Sequence, residues 1–293
     1  MSYLLQQIIN GLGDGAIYAS LGLALVLIYR TTNIANFAQG EMATFSAYLA
    51  WQLINWGVPF VWALLGSLLL SAVMGIITYL IIVRPVQYKD ELTIIIVTLG
   101  LFLAYNSASG AIWGFLQLPL ASPFPAGSMR TGGVRLSMEL IGTLVTLLII
   151  ALGMYLMFQR TRLGIALRAA ASNPTSAKLV GIPFIRMMAI GWGLAAVIGA
   201  LSGLLVAPRL TLDPNMMGSI IIFAFAAAVV GGLSSYTGAV VGGVVVGIAQ
   251  SLSLAYLPWL GADLQIIVPL ALIMIVLIVK PEGLFGKTVM ARV

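Results

Sequence analysis

The sequence predicts an all-α, polytopic integral membrane protein with eight or nine transmembrane helices. Of its 293 residues, 61% are hydrophobic and only 8% are charged, whereas soluble domains carry about 25% charged residues. The apolar runs are long enough to cross a bilayer as helices. They are continuously apolar rather than alternating, which argues against a transmembrane β-barrel. We therefore interpret residues 1–293 as one transmembrane domain.

Nine apolar segments account for the predicted spans. In the first, Gly11 and Gly15 have the small-xxx-small spacing that allows close helix packing, and Gly199 and Gly203 repeat it in the sixth. A loop rich in proline and glycine, residues 114–137, is expected to be irregular and external. The segments cover about residues 5–29, a stretch ending near 56, 60–83, 92–113, 138–158, 187–206, 217–230, a stretch ending near 257, and 264–279.

Two segments predict broken or re-entrant helices. Residues 31–45 are too polar for a lipid-facing span, and irregular backbone at membrane depth is tolerated where it is buried or lines a cavity. Residues 217–240 begin with a short apolar run and enter a glycine- and serine-rich turn. If these pieces are half-helices, the protein has eight spans rather than nine. The alternative for residues 31–45 is an ordinary cytoplasmic turn.

The distribution of basic residues orients the predicted spans. With nine crossings and an external N-terminus, eleven of the 14 lysines and arginines lie inside and three lie outside, as the positive-inside rule requires. The outside set is Arg130, Arg135 and Arg209; the inside set is Arg30, Arg84, Lys89, Arg160, Arg162, Arg168, Lys178, Arg186, Lys280, Lys287 and Arg292. We therefore expect a multi-pass membrane protein with an external N-terminus and a cytoplasmic C-terminus.

The longest basic stretch, residues 159–186, carries five of these cations and no acid. Leu163, Leu167 and Ala170 have helical spacing, which predicts a short helix over residues 164–171. Asn173 is a favourable N-cap before Pro174, so a second short helix follows. Gly181 and Pro183 then end it. The stretch fits a rigid cytoplasmic docking surface, and the alternative is a tethering loop whose charges only fix topology.

The composition excludes several kinds of chemistry. The chain has no cysteine and no histidine, which removes disulfides, thiolate and imidazole metal ligands, and histidine acid–base catalysis. Residues 283–288 do not form a phosphate-binding loop, because Pro281 occupies the position of the first glycine. We therefore expect no enzyme activity, no metal, no cofactor and no ATP site in this chain. The charges lie between spans, so nucleic acid is not an expected partner.

Transport remains the natural function for a polytopic membrane protein whose predicted interior is polar and broken by glycines. Asp14 and Glu41 are the acidic candidates for a pathway, because an ionisable residue inside a membrane is a functional candidate; both lie near predicted span ends. Gln250 is a lone polar residue in a later span. These residues leave an ion-coupled carrier open as an alternative, and the glycine-rich helices leave a passive channel open. A separate ATPase that docks on residues 159–186 is the favoured energy source.

Five motifs resemble the branched-chain amino acid ABC transporter permease family. They are IANFAQGEM at residues 34–42, RPVQ at 84–87, the basic stretch from Thr161 to Ile182, GGLSSYTGAVVGG at 231–243 and KPEGLFG at 280–286. The motifs occur in the family's order along most of the chain. The family often has histidine at Gln39, and often has glycine and proline where Ser235 and Thr237 stand here. Related permeases handle urea, short amides and other amino acids, which leaves the solute open.

The resemblance implies an importer subunit with several partners. These are cytoplasmic ATP-binding subunits, a second permease that is identical or homologous, a periplasmic solute-binding protein and the lipid membrane. It assigns Arg168 and Lys178 to electrostatic docking on the ATPase, and Asn173 and Gly181 to shaping the coupling loop. The candidate pathway or gate residues are Asn36, Phe37, Gln39 and Glu41, with Asp14 and Gln250 added from the polarity argument. The alternative for the first four is helix packing and capping.

Overall fold

A computed structural model describes residues 2–131, 133–257, 259 and 264–286. Lys287 and Arg292, which the charge argument assigns to the cytoplasm, lie outside these residues. A short π-helical turn, Tyr79–Val83, follows α3. The α-helices of the described chain are α1 Ser2–Thr32, α2 Gln39–Asn55, α3 Phe60–Thr78, α4 Glu91–Trp113, α5 Met138–Arg160, α6 Arg162–Ser172, α7 Pro174–Leu179, α8 Phe184–Leu210, α9 Ile220–Gly231, α10 Tyr236–Tyr256 and α11 Ile267–Val279.

Six of these helices are long and apolar enough to cross a membrane: α1, α3 with its π-helical turn, α4, α5, α8 and α10. The 12-residue α9 rises only about 18 Å, well short of a hydrocarbon core of about 30 Å. This agrees with the half-helix expected near residues 217–240. α2 and α11 are also short, with 17 and 13 residues. The all-α membrane class is confirmed, and the count of eight or nine spans stays a prediction.

Contacts divide the chain into two units. The first contains the described parts of residues 1–26, 124–151 and 219–293. In this unit α9 packs on α10 and α11, and α1 approaches α10 through glycines. A Cβ added to Gly243 would lie 2.6 Å from the Cβ of Ala19, so only hydrogen fits there. Gly11 and Gly15 also face α10, which confirms the close packing predicted from their spacing.

The second unit contains residues 27–123 and 152–218, and α8 lies at its centre. α8 packs on α2 and α3, and α2 also packs on α3 and α4. A Cβ added to Gly75 of α3 would lie 2.6 Å from the backbone oxygen of Trp192 on α8. Gly203 meets the backbone of Ala43 on α2 in the same way. These glycines set the helix separations that position the polar residues described below.

A β-hairpin occupies part of the loop that the sequence suggested was irregular. β1 Ser128–Thr131 pairs antiparallel with β2 Val134–Ser137, and Arg130 lies opposite Arg135. The expectation of an irregular loop is therefore wrong for these two segments. The glycine pair between them is a known hairpin signal, and Gly133 has the positive φ of 80° that such a turn uses. The prolines upstream indicate irregular backbone, and that indication outweighed the short hairpin signal.

Candidate functional site

The backbone between α1 and α2 is held by two of the predicted pathway residues. Asn36 accepts a hydrogen bond from the backbone N–H of Ala38 at 3.1 Å and donates one to Gln39 Oε1, also at 3.1 Å. Gln39 in turn donates to the backbone oxygen of Ala195 on α8 at 2.9 Å. Both side chains are fully buried. Their polar groups are thus engaged in fixing the helix break, while Phe37 between them is half-buried.

Glu41 lies in the first turn of α2 and is 1% exposed. Its Oε2 accepts a hydrogen bond from Asn106 Nδ2 of α4 at 3.3 Å. Asn106 also donates to the backbone oxygen of Pro214 at 2.9 Å and to Asn215 Oδ1 at 3.1 Å. Asp213 lies within electrostatic range of Glu41. Glu41 therefore belongs to a buried polar cluster made by α2, α4 and the segment after α8.

α2 and α4 run side by side in the same direction. Glu41 lies opposite Asn106, and further along both helices Gln52 Oε1 accepts a hydrogen bond from Trp113 Nε1 at 2.8 Å. Asn106 is seven residues before the end of α4, a rise of about 10 Å. Glu41 therefore lies roughly 10 Å inside the end of the neighbouring span. The expectation that it lies near a span end holds for α2 alone.

Aromatic side chains pack between α2 and α4 in the region from the Glu41–Asn106 contact to the Gln52–Trp113 contact. Tyr48 of α2 stacks on Trp113 with ring centres 4.8 Å apart. Phe45 packs edge-to-face on Tyr105 at 5.7 Å and on Trp113 at 5.2 Å. The Tyr48 hydroxyl is buried without a hydrogen-bond partner within the described chain. We define the α2–α4 seam as Glu41, Phe45, Tyr48, Asn106, Trp113 and Asp213.

Sequence reasoning missed Tyr48, Asn106 and Asp213. Asn106 carried a signal, because it is an amide inside an apolar span. Tyr48 has no distinguishing signal in the sequence, because aromatic residues are common in apolar helices. Asp213 looked like part of a polar turn, since nothing local indicates that this turn reaches α4.

The other two polar candidates belong to the first unit. Asp14 is half-buried on α1. Gln250 is 8% exposed; it accepts a hydrogen bond from the Tyr18 hydroxyl and donates one to Gln265 Oε1 at 3.2 Å. Tyr18 also stacks on Phe223 at 4.9 Å. The structure thus embeds Gln250 in a chain of polar side chains inside this unit.

The basic stretch forms the two short helices that were predicted. Thr161 caps α6 by accepting a hydrogen bond from the Gly164 N–H at 3.0 Å. Asn173 caps α7 by accepting one from the Ser176 N–H at 2.9 Å. Gly181 follows α7 with φ of 82°, a conformation that glycine adopts without strain. The predicted roles of Asn173 and Gly181 in shaping this element agree with these contacts, although their part in coupling stays a prediction.

Exposed cationic and apolar side chains occur on both short helices and just after the second. Arg168 and Lys178 are exposed, and Lys178 Nζ lies 5.5 Å from the ring centre of Phe184. Beside them Leu179 is 84% exposed and Val180 is 75% exposed. Sequence reasoning missed this apolar pair. We define Arg168, Lys178, Leu179 and Val180 as the α6–α7 surface.

No group of three or more acidic, histidine or cysteine side chains that could hold a metal ion is found among the residues described. This agrees with the expectation from composition without testing it.

Comparisons with known proteins place the chain in a family. A sequence model described as branched-chain amino acid transport system / permease component matches residues 7–277. The high-affinity branched-chain amino acid transport system permease protein LivH of Salmonella typhimurium is 28% identical, and the alignment covers 99% of this chain and 98% of the relative. The probable branched-chain amino acid transport permease protein LivH of Methanocaldococcus jannaschii is 31% identical, with 93% and 91% covered.

Relatives that are named for other solutes are less similar in sequence. The ribose import permease protein RbsC of Escherichia coli is 24% identical, with 79% of this chain and 71% of the relative covered. The family model and the LivH proteins extend along nearly the whole chain. The chain therefore belongs to the family of branched-chain amino acid transport system permease components, which are ABC transporter permeases.

Proposed function

We propose that the chain is a permease subunit of a binding-protein-dependent ABC importer for branched-chain or other amino acids, powered by a separate cytoplasmic ATPase. The observation that carries this proposal is the α6–α7 surface. Two capped helices present an exposed apolar pair next to exposed cations. A loop that only fixed membrane topology would need the charges and would not need Leu179 and Val180.

The α6–α7 surface has the physical properties of a docking site. Large exposed apolar side chains on a part of a membrane protein that faces water mark interaction sites. A partner groove that covers Leu179 and Val180 removes their apolar area from water, which stabilises the complex by about 25 cal/mol per Å². Arg168 and Lys178 steer a partner that carries acidic residues. The caps keep the element rigid, so motion of the ATPase is passed to α5 and α8.

The proposed assembly has two permease subunits, identical or homologous, two ATP-binding subunits and a periplasmic solute-binding protein. The N-terminus lies outside and the C-terminus lies in the cytoplasm of the bacterial inner membrane. ATP and solute drive the cycle only through their different affinities for the two states of the permease. The LivH relatives support this assembly, since their names describe permease proteins of branched-chain amino acid transport.

Co-purification with the ATPase tests the α6–α7 surface. We expect the double variant Leu179→Ser with Val180→Ser to lower both the recovery of the ATPase and the solute-stimulated ATP hydrolysis at least about tenfold. The reason is that both substituted side chains no longer bury apolar area against the ATPase. Arg168→Ala with Lys178→Ala is expected to weaken association most at low salt. Leu116→Ser is the matched control, since Leu116 is 79% exposed in the loop expected outside. Unchanged assembly in the Leu179 and Val180 variant overturns the docking role.

An ion-coupled carrier is the second candidate, and the buried Glu41 is the observation that favours it. The two mechanisms separate in proteoliposomes that contain the purified complex. Uptake that requires ATP on the side of the bilayer where the ATPase is bound, and that continues after the ion gradients collapse, supports the importer. Uptake without ATP that stops when the gradients are dissipated supports the carrier.

A further inference from the structure

The α2–α4 seam holds two carboxylates and no cation. Glu41 is buried, and its carboxylate accepts a hydrogen bond from the neutral amide of Asn106. Asp213 lies within electrostatic range of Glu41 and of Tyr48. Within the described chain, no lysine or arginine forms an ion pair with Glu41. A buried carboxylate either takes up a proton or pairs with a cation, and the seam itself has no cation that could hold Glu41 in its charged form.

Hydrogen-bond counting shows the same deficit. The Asn106 amide has two N–H donors, yet three acceptors lie within reach: Glu41 Oε2 at 3.3 Å, the Pro214 oxygen at 2.9 Å and Asn215 Oδ1 at 3.1 Å. One of these acceptors is always unsatisfied by Asn106. The cluster is rich in acceptors and poor in donors, so a group with several N–H donors fits it.

The Tyr48 hydroxyl is an independent sign of a ligand. It is fully buried and has no hydrogen-bond partner in the described residues, and such groups are rare in folded proteins. Asp213, whose field reaches Glu41, also acts on this hydroxyl. The Tyr48 ring stacks on Trp113, and Phe45 packs against the same indole. Aromatic faces beside carboxylates attract cations.

We propose that the α2–α4 seam binds the ammonium group of the transported amino acid. An ammonium has one positive charge and three N–H donors, which match the negative charge of Glu41 and the acceptor that Asn106 leaves unsatisfied. The unpartnered Tyr48 hydroxyl is a further acceptor in the same seam. Asn215 at the edge of the cluster is exposed, so the cluster reaches the surface of its unit. Neutral amides, urea and sugars lack the charge. The inference rests on the proposed importer function and selects amino acids among the solutes left open.

Ligand binding to the purified permease–ATPase complex tests the seam directly. The probes are L-leucine, 3-methylbutylamine (the ammonium without the carboxylate), 4-methylpentanoate (the carboxylate without the ammonium) and sodium chloride, each followed by the shift in thermal unfolding midpoint. We expect leucine and 3-methylbutylamine to raise the midpoint, and 4-methylpentanoate and sodium chloride at matched ionic strength to leave it unchanged.

Three variants separate binding from folding. Glu41→Gln keeps an oxygen for Asn106 but removes the charge, and we expect it to weaken binding of 3-methylbutylamine at least about tenfold. Tyr48→Phe keeps the stacking on Trp113 and removes the orphan hydroxyl, so we expect a smaller loss, about threefold to tenfold. Glu91→Gln is the matched control, because Glu91 is an exposed acid at the start of α4, and its binding should be unchanged.

Several outcomes overturn the proposal. Equal binding by the wild type and Glu41→Gln does so, as does a midpoint shift with 4-methylpentanoate that matches the shift with leucine. A shift with sodium chloride that disappears in Glu41→Gln assigns the seam to an inorganic cation instead. Failure here differs from failure of the importer proposal, because ATPase assembly depends on the α6–α7 surface and is scored in the same preparation.

Discussion

Gln39 of α2 donates a hydrogen bond from Nε2 to the backbone oxygen of Ala195 on α8, with 2.9 Å between the two atoms. Its Oε1 accepts a hydrogen bond from Asn36 Nδ2 at 3.1 Å. One side chain thus joins the helix break to the central helix of its unit, and the site requires both a donor and an acceptor.

Replacing Gln39 tests that requirement. Neutral histidine also carries one donor and one acceptor, so we expect Gln39→His to be tolerated, in keeping with the histidine that related permeases often carry. Gln39→Leu removes both hydrogen bonds of this side chain, and each such bond contributes about 0.5–1.5 kcal/mol to stability. The thermal midpoint in detergent should fall in the order wild type, His, Leu. A histidine variant less stable than the leucine variant contradicts this account.

The contact between Gly203 and Ala43 gives a second prediction. A methyl group on Gly203 would collide with the backbone oxygen of Ala43, so Gly203→Ala should force α2 and α8 apart. We expect a loss of about 1–3 kcal/mol, the usual cost of overpacking, measured as a lower unfolding midpoint.

Gly153 provides the matched control for this substitution. It also lies within a helix, α5, but a Cβ added there meets nothing within 4 Å. Alanine favours helix by about 0.5–1 kcal/mol over glycine, so Gly153→Ala should leave stability unchanged or raise it slightly. If both variants lose stability equally, the loss comes from something other than helix packing.

Local patterns predicted much of this fold. The caps and punctuation at Asn173, Pro174 and Gly181 act through neighbouring backbone groups, so they can be identified from sequence alone. Long apolar runs likewise defined most of the helices. The seam depends instead on which residues of α2, α4 and the segment after α8 come together, and no local pattern encodes that pairing. Asn106 could be flagged as polar, but its three acceptors could not be foreseen.

Asn36 and Gln39 show the limit of motif reasoning from the other side. Their motif predicted a pathway or gate, with packing as the alternative. The contacts show that both amides are engaged in structural hydrogen bonds, which favours packing without testing transport. A sequence motif marks residues that a fold needs, and only the three-dimensional contacts separate structural need from solute contact.

The Asn173 cap of α7 predicts that alanine and aspartate at this position have different effects. Asn173→Ala removes the hydrogen bond to the Ser176 N–H, and lost N-caps cost about 1 kcal/mol. Because α7 has only six residues, we expect faster amide exchange over residues 175–180 and weaker solute-stimulated ATP hydrolysis. Asn173→Asp retains a capping oxygen and should resemble the wild type. Equal exchange in the alanine and aspartate variants would falsify the capping role.

Asp90 gives a pH-dependent prediction at the exposed start of α4. The pKa of its carboxyl is lowered, chiefly because the Thr93 hydroxyl donates a hydrogen bond to it and then because the Thr93 N–H does so. A lowered pKa in the folded state means that the cap is intact above the ordinary aspartate pKa of about 3.9 and is lost as the pH falls through the folded value. The exchange rates of the amides at residues 91–94, corrected for the pH dependence of intrinsic exchange, should rise in that acid range. Asp90→Asn keeps a neutral cap, so its corrected exchange should not depend on pH there; a matching rise in that variant contradicts the assignment to Asp90.

Gln250 offers a test of whether the polar chain in the first unit is structural. It accepts from the Tyr18 hydroxyl and donates to Gln265, so a double-mutant cycle with Tyr18→Phe and Gln250→Leu measures the coupling between the two side chains. We expect a coupling of about 0.5–1.5 kcal/mol in unfolding free energy, the range for hydrogen bonds between membrane helices.

If Gln250 also contacts the solute, Gln250→Leu lowers uptake while Tyr18→Phe, which removes the same hydrogen bond, does not. Equal loss of uptake in both variants, together with measurable coupling, assigns Gln250 to packing and removes it from the candidate pathway residues.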